Sequence, residues 1–236
     1  MRTLFIAGTD TGVGKTHVST ILLQELAELG FRTGAFKPAC SGATLTEKHS
    51  PRWEDIDRLA AVLTERPDSN AICPQRFLAP LAPPLAARRE GRIVDTEAIN
   101  HGLLAWQAHC KALIVEGAGG WLCPLTETET FADWVTRWRM PVLIVARRGL
   151  GTINHTLLTI GAIRNRRLPI AGVVLNETSP LNDDLSVVDN AVEIEARTGV
   201  PVLGEILYNG TELRQGGRAV RMNWWSLMSE PGGNGA

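Results

Sequence analysis

Several absences narrow the sequence before any motif is considered. It has almost no net charge: 24 Lys plus Arg stand against 25 Asp plus Glu, a formal −1. No global basic field therefore draws nucleic acid or anionic lipid to it. Cysteine is sparse, and the four (Cys40, Cys73, Cys110 and Cys123) form no C-x-x-C pair. That excludes a disulfide framework or a zinc site of the usual spacing and predicts reduced thiols. No apolar run reaches the roughly 18 residues of a membrane span. The opening Met-Arg-Thr-Leu-Phe-Ile lacks the longer apolar stretch of a signal peptide. Internal repeats and linker-like shifts of composition are missing too. The expectation is a soluble, cytoplasmic protein with no nucleic-acid or membrane partner.

What is present can build a core. The 236 residues are 44% hydrophobic and 21% charged, which excludes a disordered chain. Short β-rich apolar runs recur at Thr3–Gly8, Thr33–Phe36, Ala112–Val115, Val142–Ala146 and Ala171–Leu175, with a weaker one at Val200–Ile206. Near-continuous apolar runs suit strands covered on both faces, as in a parallel sheet. Between them the spacing predicts helices: one marked by Val18, Ile21, Leu22, Leu26 and Leu29, then Glu54–Leu63, Thr96–His109, Thr130–Arg137, Thr152–Arg164 and Asp184–Arg197. Alternating β and α predict one doubly wound α/β domain over residues 1–229: a mostly parallel sheet flanked by helices, of the P-loop NTPase kind. Ala79–Pro84 reads as a rigid loop, and the Gly/Pro/Asn-rich 230–236 as a frayed tail.

The sharpest motif is Gly8-Thr-Asp-Thr-Gly-Val-Gly-Lys-Thr16, between the first apolar run and the first helix. Glycines let backbone N–H groups curl round phosphates, and the helix start adds a favourable dipole. Lys15 would reach the β- and γ-phosphates and Thr16 would ligate Mg²⁺. Thr9 stands where the strict G-x-x-x-x-G-K-[ST] pattern has its first Gly. Asp10 stands where partition and division-site ATPases carry an extra lysine, which argues against that branch.

Open α/β sheets bind ligands at the carboxyl ends of their strands, so each run should end in chemistry. The five clear ones do: at the phosphate loop, at Lys37-Pro-Ala-Cys-Ser41, at Glu116-Gly-Ala-Gly-Gly120, at Arg147 to Asn154, and at Asn176. Glu116 is placed as an acidic Mg²⁺ ligand whose glycines allow close approach of a ligand. Lys37 is a second cation for a transferring phosphoryl group. Asp55 and Asp57 open a helix, where both complement its dipole and either one can be a metal ligand. Gly151-Thr-Ile-Asn154 opens another helix, whose free N–H groups could hold a carboxylate. His101 and His109 lack metal partners. Trp134, Trp138, Trp224 and Trp225 lie in amphipathic or terminal segments without a basic stripe, so they read as core or interface rather than a stacking set.

Taken together, G-T-D-T-G-V-G-K-T (8–16), K-P-A-C-S-G (37–42), V-E-G-A-G-G-W-L-C-P-L (115–125), T-F-A-D-W-V (130–135), L-G-T-I-N-H (150–155), G-V-V-L-N (172–176) and G-E-I (204–206) resemble the ATP-dependent dethiobiotin synthetases. The resemblance implies a ligase that converts 7,8-diaminononanoate, CO₂ and MgATP into dethiobiotin, ADP and phosphate through a carbamate and its mixed anhydride with phosphate. It implies that Lys15 and Lys37 stabilise the phosphoryl transfer and that Thr16, Asp55 and Glu116 bind Mg²⁺. The nucleotide would lie against Gly12, Val13, Gly14, Lys15, Thr16 and His17, then Gly117, Ala118 and Gly119. Its adenine would meet Asn176, Glu177, Leu207, Tyr208 and Asn209. Thr11 and Ser41 would face the diamine or its carbamate. Gly151, Thr152, Ile153 and Asn154 would hold the substrate's tail carboxylate across a homodimer interface. Three departures from the family pattern stand out: Pro84 in place of a His, Leu207 in place of a Pro, and the E-D-I-D run, in which Asp55 keeps the apolar register. The alternatives from other classes are a nucleotide-dependent switch or partition ATPase and a related amide-forming synthetase.

Overall fold

The computed structural model describes residues 1–181 and 184–232. Its centre is an eight-stranded sheet: β1 (Arg2–Gly8), β2 (Thr33–Phe36), β3 (Ala112–Glu116), β4 (Val142–Arg147), β5 (Ile170–Asn176), β6 (Val202–Ile206), β7 (Arg214–Gln215) and β8 (Arg218–Ala219), in the order β8-β7-β6-β5-β4-β1-β3-β2. The pairings among β1 to β6 are parallel, and at one edge β7 pairs antiparallel with both β6 and β8. β3 is buried along its whole length and β1 from Thr3 onward. That is why these strands read as unbroken apolar runs rather than alternating ones.

The helices are α1 (Lys15–Glu28), α2 (Glu54–Ala61), α3 (Pro83–Arg89), α4 (Thr96–Ala105), α5 (Phe131–Trp138), α6 (Thr152–Asn165), α7 (Asn190–Thr198) and the single turn α8 (Trp224–Leu227), with a further, unnumbered turn at Ser69–Ile72. Start signals in the sequence explain several boundaries. Thr130 and Asp133 form a reciprocal capping box at the start of α5, and the Asp95 side chain caps α4. The helices at Gly14 and Gly151 have no side-chain cap, and both glycines are left-handed, at φ 90° and 91°. The first N–H groups of α1 stay free, and at α6 the Thr152 N–H turns back to the Gly149 carbonyl at 3.3 Å while those of Ile153 and Asn154 stay free, which suits an anion.

Trp134, Trp138 and Trp224 are fully buried beside Phe5 and Phe36, each worth about 1.5–3 kcal/mol of burial. Trp225 is half-buried and stacks on Phe31 with Arg2 over its face. Residues of the α8 turn and after it return to the first strand, with the Thr3 N–H donating to the Ser229 carbonyl at 2.7 Å.

Some expectations are revised. Ala79–Pro84 is not loop throughout, because Pro83 and Pro84 occupy the first turn of α3, where a missing N–H costs nothing. The helix expected over Thr96–His109 tightens into a 3₁₀ turn at Trp106–Ala108, and that over Asp184–Arg197 divides into a 3₁₀ turn at Leu185–Val187 and α7. Composition gave no sign of the two minor sheets, Ala39–Ser41 with Gln75–Phe77 and Thr44–Leu45 with Pro51–Arg52, since strands of two or three residues carry no period. The Gly232 N–H donates to the Trp138 carbonyl at 3.0 Å; the rest of the expected tail, 233–236, lies outside the described residues.

Candidate active site

The sheet order places the site. From β1 the chain crosses to β2 and β3 on one side and to β4 and β5 on the other, so the carboxyl end of β1 is the switch point where such sheets bind ligands. The phosphate loop leaves β1 there. Gly8 is required because a Cβ would lie 2.7 Å from the Asp10 carbonyl and 3.0 Å from Lys15 Nζ. Gly14, besides its positive φ, would carry a Cβ 2.1 Å from Asn176 Nδ2.

A cavity of about 310 Å³ opens against this loop. It brings together the expected Thr11, Gly12, Gly14, Lys15, Thr16, His17, Lys37, Ser41, Asp55, Glu116, Ala118 and Gly119. These come from four separate segments of the sequence. Two further residues line it that the sequence reading missed: Cys40 and Arg58. Arg58 had a usable signal, since it follows Asp55 by three positions on one helix face.

The polar network is dense. Lys37, 3% exposed, sits 2.5 Å from Glu116 Oε1 and 2.6 Å from Asp55 Oδ2. Glu116, 1% exposed, also accepts from Thr16 Oγ1 at 2.7 Å and from Ser19 Oγ at 2.8 Å. Ser19 is thus a supporting residue, three positions after Thr16 on α1. Burial alone would push the Lys37 ammonium down, but Glu116 and Asp55 outweigh it and hold it above the ordinary lysine value. Burial would likewise raise the half-exposed Asp55, yet Lys37 holds it below the ordinary carboxylate value. Lys15 behaves oppositely: burial, reinforced by Lys37, brings it from 10.5 down to about 8. Its Nζ donates to the Gly119 carbonyl at 2.7 Å. The Cys40 thiol is pushed up to about 11 by burial, so it is a poor nucleophile here. Ser41 Oγ donates to the Leu81 carbonyl at 2.6 Å. His17 Nε2 is 2.7 Å from the Gly210 carbonyl, which joins α1 to the segment after Leu207–Asn209.

Asp55 and Asp57 differ in their surroundings. Asp55 meets Lys37 inside the cavity, whereas Asp57 is paired outward with Arg52. Asn176 lies beneath the loop, its Nδ2 donating to the Val13 carbonyl at 3.0 Å, while its Oδ1 is buried without a partner. Val13 and Gly117 are buried and support the loop from behind. Glu177 is committed to Arg148 at 3.1 Å, and Leu207, Tyr208 and Asn209 are exposed. Gly151, Thr152, Ile153 and Asn154 form no part of this chain's own cavity. Among the described residues no group of three or more His, Cys, Asp or Glu could by itself hold a metal ion, and no helix is long and apolar enough to cross a membrane. His101 and His109 are exposed and far from such a set.

Comparison with known proteins agrees with this arrangement. Residues 2–211 match a family model described as an AAA domain. The chain is 48% identical over 198 residues to the ATP-dependent dethiobiotin synthetase BioD of Anaeromyxobacter dehalogenans strain 2CP-C, covering 84% of this chain and 86% of that protein. It is 40% identical over 176 residues to BioD 1 of Escherichia coli O157:H7, covering 75% and 78%. In fold it is similar to apo McdA from Cyanthece (TM-score 0.52, 14% identity, 89% of this chain and 86% of that one). The ParA family ATPase of Chlorobium tepidum TLS is comparable (TM-score 0.50, 16% identity, 88% and 85%). These two share the architecture only; the relatives by sequence show that the chain belongs to the ATP-dependent dethiobiotin synthetase family.

Proposed function

We propose that this cavity carries out ATP-dependent closure of a ureido ring on 7,8-diaminononanoate, with Lys15 and Lys37 as the catalytic cations. The observation that carries the reading is the Lys37 ammonium held between Glu116 and Asp55 beside a phosphate loop, in a cavity that also reaches Thr11 and Ser41. One amine of the substrate attacks CO₂ to give a carbamate. A carbamate oxygen then attacks the γ-phosphorus; that O–P bond forms as the bond to ADP breaks. The second amine attacks the carbonyl carbon of the anhydride, and phosphate leaves with the C–O electron pair as the ring closes. The free N–H groups of Gly12–Lys15 and the Lys15 ammonium meet the triphosphate. Lys37 meets the phosphoryl group in transit. Thr11 and Ser41 position the nucleophilic side. The partnerless Asn176 Oδ1 is an acceptor for the adenine amino group, with Glu177 and Leu207–Asn209 around it.

Thr16, Asp55 and Glu116 supply the hard oxygens that suit Mg²⁺, and a cation already lies among them in the form of Lys37. Mg²⁺ there would neutralise phosphate charge, with its other ligands coming from phosphate and water. We further propose a homodimer in which Gly151–Asn154 serve the partner's substrate. The free N–H groups at the start of α6 and the exposed Leu150, Leu158, Leu185, Val188 and Val192 on α6, α7 and their flanks support it. One domain over 1–229, supported by the Thr3–Ser229 bridge, and a cytoplasmic location, supported by four free cysteines, complete the proposal. The balanced charge gives no support to nucleic-acid or membrane partners.

The test is phosphate release from MgATP with bicarbonate, with and without the diamine. Strong diamine dependence with stoichiometric dethiobiotin is expected. Release indifferent to the diamine overturns the reading and favours a switch ATPase, against which Asp10 already speaks.

A further inference from the structure

Among the five charged groups in the cavity lining, one cation is left without a task. Lys37 is bound to both carboxylates. Lys15 lies against the phosphate loop on the Gly119 carbonyl. Arg58 makes no hydrogen bond among the described residues, and its nearest acid, Glu54, is 3.8 Å away on the solvent side. Arg58 lines the cavity because it follows Asp55 by one turn of α2. It is 47% exposed and also borders a neighbouring surface cavity beside Thr44 and Asp57, so it can move between the two.

We propose that Arg58 is a substrate-binding residue that holds the carboxylate oxygens of the carbamate in this cavity. This rests on the synthetase reading above. When the amine lone pair attacks CO₂, an N–C bond forms, one C=O electron pair moves to oxygen and the amine proton leaves to solvent. A new anion thus appears beside a triphosphate. The helix start and Lys15 are occupied by phosphate, and Lys37 is assigned above to the phosphoryl group in transit. The remaining cation is a guanidinium, whose planar fork matches a carboxylate through two parallel hydrogen bonds. Its exposure lets it follow the group as the anhydride forms.

The first measurement needs neither ATP nor metal. Purified protein is mixed with the diamine and ¹³C-bicarbonate, and bound carbamate is measured by ¹³C NMR against a protein-free control. The variants Arg58→Gln and Arg58→Lys are compared with the wild type, with thermal melts verifying that each is folded. Carbamate affinity should fall at least about tenfold in Arg58→Gln, the low end for a hydrogen bond to a charged group. Arg58→Lys should recover part of the loss. ATP affinity should be the same in all three, and in steady state the loss should appear mainly in KM for bicarbonate. Undiminished carbamate in Arg58→Gln overturns the assignment, and so does a parallel fall in ATP affinity, which would put Arg58 on phosphate. Failure of the synthetase reading itself is distinguishable, because wild-type phosphate release would then ignore the diamine.

Discussion

Replacing Lys37 with alanine should weaken the fold as well as the chemistry, by an amount the site geometry sets. The substitution leaves Glu116, 1% exposed, and Asp55 facing one another with nothing between them. Removing one partner of a buried ion pair costs about 3–5 kcal/mol. Thr16 and Ser19 still donate to Glu116, and Asp55, whose side chain is 42% exposed, is partly screened by water. Both facts favour the low end, about 3 kcal/mol. For a chain of this length each kcal/mol moves Tm by roughly 2–4 °C, so Tm should fall by roughly 6–12 °C.

Scanning calorimetry at neutral pH, with and without millimolar Mg²⁺, checks this. A divalent cation should recover part of the loss in the variant and do much less for the wild type. The pH dependence has a definite sign. The raised Lys37 value makes its contribution complete below the ordinary lysine pKa and lost only above it. The lowered Asp55 value makes its contribution complete above the ordinary carboxylate pKa and lost as pH falls below it. The gap between variant and wild type should therefore be flat across neutral pH. A Tm within about 2 °C of wild type, or a gap that changes steeply near pH 7, refutes the reasoning. Turnover should fall on the order of 10²–10³-fold with nucleotide affinity largely retained.

Three other outcomes follow from the same geometry. Glu116→Gln should shift the Mg²⁺ dependence of turnover to higher concentration while keeping the Thr16 and Ser19 contacts; an unchanged Mg²⁺ titration removes Glu116 from the metal shell. Gly14→Ala combines a positive φ with a Cβ 2.1 Å from Asn176 Nδ2, so ATP affinity measured by nucleotide titration should drop by about tenfold or more, given about 1–3 kcal/mol of local strain. Lys15, brought down to about 8 by burial, loses its charge as pH rises past that value, so ATP binding should weaken there and take up a proton. Calorimetry in two buffers of different ionisation heat at pH 8–9 reads that proton directly, and buffer-independent heats would contradict it.

Much of this was legible in the residues. Strands buried on both faces announce themselves as apolar runs, which is why β1 to β5 fall within a residue or two of their expected limits. The loop glycines and Lys15 sit in one continuous motif, and the ends of β2 and β3 put Lys37 and Glu116 on the same sheet edge. What the sequence could not display was commitment. Nothing in E-D-I-D separates Asp55 from Asp57 until one is seen against Lys37 and the other against Arg52. Ser19 looked like an ordinary helix residue, and Arg58 like a solvated one, because their roles depend on a carboxylate and a cavity contributed by distant segments. The minor strands at Ala39–Ser41 and Gln75–Phe77 were hidden because pairing between short segments leaves no periodicity.

The position of β1 has a consequence for how the molecule comes into being. β1 becomes the middle of the sheet although its neighbours begin only at Ala112 and Val142. Ser229 then bonds to Thr3. For most of translation β1 is an apolar segment with two unpaired edges, waiting for partners more than a hundred residues away. Contacts of that separation make folding slow and leave the nascent chain exposed to aggregation. A phosphate-binding loop that already turns back into α1 gives this early segment a local contact of its own, so the nucleotide site is also the place where assembly can begin.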